Sequence, residues 1–226
     1  MCMKYALFLM LAGLLFCRCM TTALPQVVIP EQTGKANVGF SIGTNGVHLN
    51  TMYTTKFGLA ILGNVGAIIG VGGSVHSELS LGFVRPGNLL VSLGLGHSDF
   101  GTHAIFYGGT YGIYNYWGRF TSLSFRVNKQ FNKRIGMINS LLFIRGKESG
   151  SCPLRCDEYT DHAFSAMYYE PVLYLRGKKK SSRYFFLSGK VPLQKPKPEP
   201  PDDRFFNFSP VHAGFGFHFP RLKQKS

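Results

Sequence analysis

Acidic side chains are scarce in this chain: 11 Asp and Glu stand against 25 Lys and Arg, so 226 residues carry a formal charge of +14. Charged residues of both signs reach only 16%, low for a surface that meets water on every side. The positive excess points to polyanions, either nucleic acid or an anionic lipid or polysaccharide surface. No helical or aromatic-basic motif of a nucleic-acid reader occurs, which sets nucleic acid aside and favours the surface. Cysteine is also sparse. Cys2, Cys17 and Cys19 fall in the first 19 residues, leaving Cys152 and Cys156 in "CPLRC". A metal site there would need two further ligands, and neighbouring Asp157, Asp161 and His162 match no common zinc spacing. A disulfide closing this small loop in an oxidising compartment is the expectation, ahead of free thiols or metal.

Long uninterrupted apolar runs are missing as well. Residues 57–73, "FGLAILGNVGAIIGVGG", are uncharged and long enough to raise the question of a transmembrane helix. Six glycines and Asn64 argue against it, since each Gly costs a helix about 1 kcal/mol relative to Ala. The stretch reads as a strand followed by a glycine-rich loop. Catalytic signatures are equally thin. "GVGGSVHSE" lacks the lysine and helix pattern of a phosphate loop, and no G-x-S-x-G elbow appears. His76 and Glu78 share a strand face with Ser74 or Ser80 near, so a hydrolytic trio is conceivable, but a wet barrel interior accounts for them better. His97, Asp99 and His103 fall in an expected loop and read as solvated residues before they read as a weak metal site. No enzyme activity, cofactor or metal is therefore expected.

What the chain does have is a leader. Lys4 precedes an apolar run from Tyr5 to Phe16. At about twelve residues this run fits a signal-peptide core and is too short to span a bilayer. Cleavage after Ala23 would define a signal peptide of residues 1–23. Cleavage before Cys17 or Cys19 would instead leave a cysteine for lipid attachment, although Phe16 and Arg18 stand where small residues are expected. A retained anchor is the remaining alternative.

It also has alternation. The segment "HAGFGFHF" sets Ala213, Phe215, Phe217 and Phe219 against His212, Gly214, Gly216 and His218, the period-two pattern of a strand with one greasy and one small or polar wall. Ala36, Val38, Phe40 and Ile42 alternate the same way, and Asn45-Gly46 supplies hairpin-turn chemistry before Val47, Leu49, Thr51 and Tyr53. Further strands are expected over 75–84, 89–97, 119–127, 135–144, 164–175 and 183–191. Residues 106–118 read as loop or irregular strand, and 145–162 as a loop broken by Gly146, Gly150 and Pro153. The Pro-rich segment 192–204 reads as a polar loop unable to pair in a sheet. Lys178, Lys179 and Lys180 read as a solvated turn able to touch acidic glycans or lipid headgroups. High Gly (27), Phe (20) and Tyr (11) content suits twisted strands and tight turns.

These readings combine into one all-β domain over 24–226, an antiparallel up-and-down meander barrel of about 8–10 strands. Strands of about nine residues tilted by about 40° rise some 23 Å, close to the apolar band of a membrane barrel. Tyr53, Phe57, Phe83, Trp117, Phe120, Tyr168, Tyr184 and Phe219 are the candidates for aromatic girdles at its edges, or else for a soluble core.

The final strand resembles the C-terminal assembly signal of bacterial outer-membrane barrels, with Gly214, Phe217 and Phe219 as its carriers, although a seven-residue tail follows the last aromatic. "VVIPEQTGKANVGFSIGTNGVHLN", "YYEPVLYLRG" and "SPVHAGFGFHF", which span nearly the whole chain after the leader, resemble a family of uncharacterised outer-membrane-barrel lipoproteins of Bacteroidota. The resemblance implies a barrel in the outer membrane of a Gram-negative bacterium, with membrane lipid as its partner and no established activity. Its role would be structural or interactive at the envelope, or the binding or passage of a small solute. A soluble, lipocalin-like ligand binder tethered at the membrane is the alternative.

Overall fold

Alternating small and apolar residues build strand after strand. The computed structural model describes residues 36–43, 46–68, 72–85, 88–106, 112–152, 157–177, 183–197 and 211–220, and every regular element among them is a β-strand. In chain order these are β1 (Ala36–Gly43), β2 (Gly46–Thr54), β3 (Leu59–Ile68), β4 (Gly72–Arg85), β5 (Leu89–Phe106) and β6 (Gly112–Gln130). They continue with β7 (Ile135–Cys152), β8 (Asp157–Arg176), β9 (Arg183–Gly189), β10 (Val191–Lys197) and β11 (Val211–Pro220). Each of β1 to β8 pairs antiparallel with the next, and β11 bonds to both β1 and β9. Ten strands thus close an up-and-down barrel, and β10 is an eleventh that extends along β8.

Short turns hold one end together. Between β2 and β3, Gly58 adopts φ 87° while its N–H donates to the Thr55 carbonyl. A Cβ at Gly58 would stand 2.6 Å from the Val84 carbonyl oxygen, so both the angle and the space demand glycine. Between β6 and β7 the Asn132 side chain accepts the N–H groups of Arg134 and Ile135 at 2.8 and 2.9 Å, the local bonding that makes Asn a turn former.

Several strands run further than local patterning suggests. β6 pairs with β5 from Gly112 onward, so much of the 106–118 stretch is regular sheet. The expected loop over 145–162 is largely strand: β7 continues through Gly146 to Cys152 and β8 begins at Asp157, with one register shift between Glu148 and Gly150. Long neighbours supply ladder partners that outweigh poor intrinsic propensity. The result is a wall of four strands, β5 to β8, projecting past the rest of the barrel. His97, Asp99 and His103 accordingly stand on β5, not in a loop.

The proline-rich segment is also corrected in part, because Val191–Lys197 pairs with β8 through Val191–Tyr169, Pro192–Tyr168, Gln194–Met167 and Lys197–Ser165. Among the described residues only β8 flanks β10, so a proline can turn its missing donor to the other side. Register across β8 is the same on both sides of the break between β9 and β10. The break therefore faces Pro171, which has no N–H to complete the ladder there, and it sets Glu170 opposite Lys190.

Candidate functional site in the barrel interior

The outward rows are mainly apolar, whereas the inward rows are small and polar toward the middle of β1 to β6 and mix polar residues with large apolar and aromatic ones on β7 to β9. Outside stand Leu49, Ile61, Val65, Leu79, Leu81, Phe83, Leu93, Leu95, Phe125, Phe143, Leu173 and Phe185, all exposed. Leu81 is 58% exposed and Leu95 69%, in the middle of long strands. Register joins them into continuous rows, such as Ile61–Leu81–Leu93–Phe125–Leu141. Asn139 interrupts this wall, and Tyr169 donates its hydroxyl to the Asn139 amide oxygen at 2.6 Å. Gly63 leaves a shallow groove between Leu49, Leu79 and Leu95.

Inside, the centre is ionic. Glu78 on β4 and Arg126 on β6 are both at least 95% buried, and Arg126 grips both carboxylate oxygens, with Nη1 on Oε1 and Nη2 at 2.7 Å from Oε2. Ser80 and Ser124 also donate to Oε1, at 2.8 and 2.9 Å. The pair spans the intervening β5 because that strand presents Gly94 and Gly96 inward; a Cβ on Gly94 would press on Ser80, Ser124 and Glu78 together. On the other side of Glu78, His76 Nε2 lies 3.7 Å from Oε2 while His76 Nδ1 shares a 2.6 Å hydrogen bond with Ser98 Oγ.

The ionic layer continues round the wall. Glu170 on β8 lies within electrostatic reach of Arg126 and Lys190, and Lys190 within reach of His212 on β11. All four are buried. Glu170 Oε1 and both ring nitrogens of His212 accept or donate no hydrogen bond among the described residues. On β2 and β3, Asn64 donates to Asn50 at 2.9 Å.

Apolar clusters close the layer from both ends. Toward the projecting wall lie Phe100, Phe120, Leu142, Ile144, Phe164 and Tyr168. Toward the short turns lie Ile138, Val172, Tyr174, Tyr184 and Phe186, with Met52, Leu62 and Leu90 beside them. Of the expected girdle aromatics, Tyr53, Phe57, Phe83 and Trp117 are exposed, whereas Phe120, Tyr168 and Tyr184 point inward and fill the lumen. Their parity with the polar inward rows decides this: Phe120 shares its face with Ser122 and Ser124, not with Leu123 and Phe125.

Sequence reasoning placed His76, Glu78 and Ser80 on one inward row, and the structure brings them together. It did not find Ser98, which takes the serine position beside His76, nor Arg126, 48 residues from Glu78. Ser98 is 1% exposed and Glu78 is fully engaged by Arg126 and two serines, so this arrangement is a buried polar chain. His97 and Asp99 form an exposed contact of 3.3 Å on the outer wall, and no group of three metal-ligating side chains occurs among the described residues. Gly214 faces inward opposite Phe186 and Gly43, and Phe217 faces outward opposite Phe40, with the Arg183 guanidinium 6.0 Å from its ring centre. Phe219 pairs with Val38 through its backbone. Cys152 is the last residue of β7. Cys156, the candidate lipid-attachment residues Cys17 and Cys19, and Lys178 to Lys180 lie outside the described residues.

Compared with known proteins, the chain matches no family model, no curated protein and no solved structure.

Proposed function

We propose that this chain is an exported barrel embedded in the outer membrane of a Gram-negative bacterium, serving a structural or interaction role at the envelope. The observation that carries the reading is the inverted dressing of the wall: contiguous exposed Leu, Ile, Val and Phe rows outside, and a buried Glu78–Arg126 network inside. A soluble barrel needs the reverse, and contiguous exposed apolar patches beyond a few hundred Å² are rare on soluble monomers. Closure satisfies the backbone of the wall, which is what a bilayer core requires of a spanning sheet. On β7 the outward row from Ile135 to Phe143 rises about 21 Å at a tilt near 40°, close to an outer-membrane apolar band. Interior aromatics and the ionic layer fill the lumen, which favours a scaffold or docking role over general permeation.

Alkaline carbonate extraction combined with gel migration of unheated samples tests this. Retention in the membrane pellet and a heat-dependent mobility shift are expected. Release by carbonate with no shift would overturn the reading in favour of the lipocalin-like alternative.

A further inference from the structure

Among the described residues the two ends of the barrel differ in charge. At the end where β1 starts and β11 finishes, four hairpin turns face the same way, and each carries cations. Lys56 lies between β2 and β3, Arg85 at the β4–β5 turn, Lys133 and Arg134 between β6 and β7, and Arg176 and Arg183 flank the β8–β9 connection. No Asp or Glu stands there among the described residues. Glu78 and Glu170 are sealed inside, and Asp99, Glu148 and Asp157 belong to the opposite ends of β5, β7 and β8.

Cation-bearing segments adjoin at this rim. The Arg176 N–H donates to the Arg134 carbonyl at 2.6 Å, so the backbones of two arginines from different turns meet, with Lys133 adjacent. The same turns present bare aromatic rings: Phe57 is 88% exposed and Phe131 60%. Immediately behind them the outer wall turns apolar, at Tyr53, Leu59, Phe83 and Leu175.

We infer that this rim binds the phosphate headgroups of anionic phospholipids in the leaflet that flanks it. The occupant follows from the order of chemistry along the wall. Cations at the rim meet phosphate, the adjoining apolar rows meet acyl chains, and the turn aromatics sit at the level between water and hydrocarbon. A soluble polyanion would satisfy the cations but leave Phe57, Phe131 and the neighbouring apolar rows in water. The inference rests on the membrane-embedded reading.

The full-length protein reconstituted in phosphatidylcholine bilayers containing about 30% phosphatidylglycerol tests it, with co-purifying lipid counted by native mass spectrometry. Several-fold enrichment of phosphatidylglycerol over its bulk share is expected, falling as salt rises. Lys56→Gln, Arg85→Gln, Lys133→Gln and Arg134→Gln combined should bring it to parity, while Arg119→Gln with Arg145→Gln at the opposite end should leave it unchanged. A charge-preserving set, Lys56→Arg, Arg85→Lys, Lys133→Arg and Arg134→Lys, should retain it and guards against misfolding, which the heat-dependent gel shift monitors. Normal insertion without enrichment, or enrichment indifferent to the four neutral substitutions, would overturn this inference alone. Displacement of the lipid by soluble polyphosphate that then stays bound would overturn it in favour of a soluble polyanion. Failure to insert into the bilayer would remove the membrane reading and this inference with it.

Discussion

Arg126 reaches past β5 to hold both carboxylate oxygens of Glu78, and Gly94, inward-facing on the strand between them, leaves the room to do so. A bidentate guanidinium–carboxylate pair is the strong form of a charged hydrogen bond. With Ser80 and Ser124 it satisfies the carboxylate inside the wall. Removing one partner is far more damaging than removing both, since a lone buried charge has nothing to replace its hydration.

Arg126→Met should accordingly lower stability by about 3–5 kcal/mol. Glu78→Gln in the same chain should recover much of that loss. Denaturant unfolding of the folded, unheated band in detergent micelles measures both; equal losses for the single and double variants would contradict the pairing.

Gly94→Val should cost about 1–3 kcal/mol by overpacking, because the added carbons enter the space used by Ser80, Ser124 and the Glu78 carboxylate. Outward-facing Leu95→Val, one residue on, should change stability by much less. The same unfolding measurement compares them.

Leu81→Arg separates the two environments. At 58% exposure, a soluble barrel would accept the change within about 0.5 kcal/mol. A lipid-facing wall should lose about 2–4 kcal/mol near the midplane. Folding equilibria in vesicles, read by the heat-dependent gel shift, give the answer.

Tyr174 packs its ring on Gly136 and donates to Asn128 at 3.2 Å. Tyr174→Phe should lose only that bond, about 1 kcal/mol. Tyr174→Ala should lose about 3–5 kcal/mol through the cavity left inside the lumen. Similar effects for the two variants would show that the ring is not packed as described.

Period-two alternation was readable wherever apolar and small residues are cleanly sorted. Ala36 to Ile42, Val47 to Tyr53, Val75 to Phe83 and Phe215 with Phe217 all stand on the faces their spacing implies. Parity could also have assigned Phe120, Tyr168 and Tyr184 to the interior; grouping them by residue type rather than by row left them open between the barrel's edges and its core. The extent of β5 to β8 was not readable, because Gly112 to Gly118 carries Ile, Tyr and Trp but no clean apolar–polar alternation, and Gly146 to Cys152 is rich in Gly, Ser, Lys and Glu and becomes strand only beside long partners.

The amino-acid sequence by itself determined that the chain is all-β, where its hairpins begin, and that strands such as β1 and β4 set an apolar row against a small or polar one, since side-chain alternation is a local property of an extended backbone. Tertiary structure decided the rest. Barrel closure chose which row faces in, and register across Gly94 joined Glu78 to an arginine 48 residues away. Continuous pairing along β8 set Glu170 opposite Lys190 beside a proline that could not bond. Those relations depend on strand order and register, which arise from contacts between distant segments and leave no local trace.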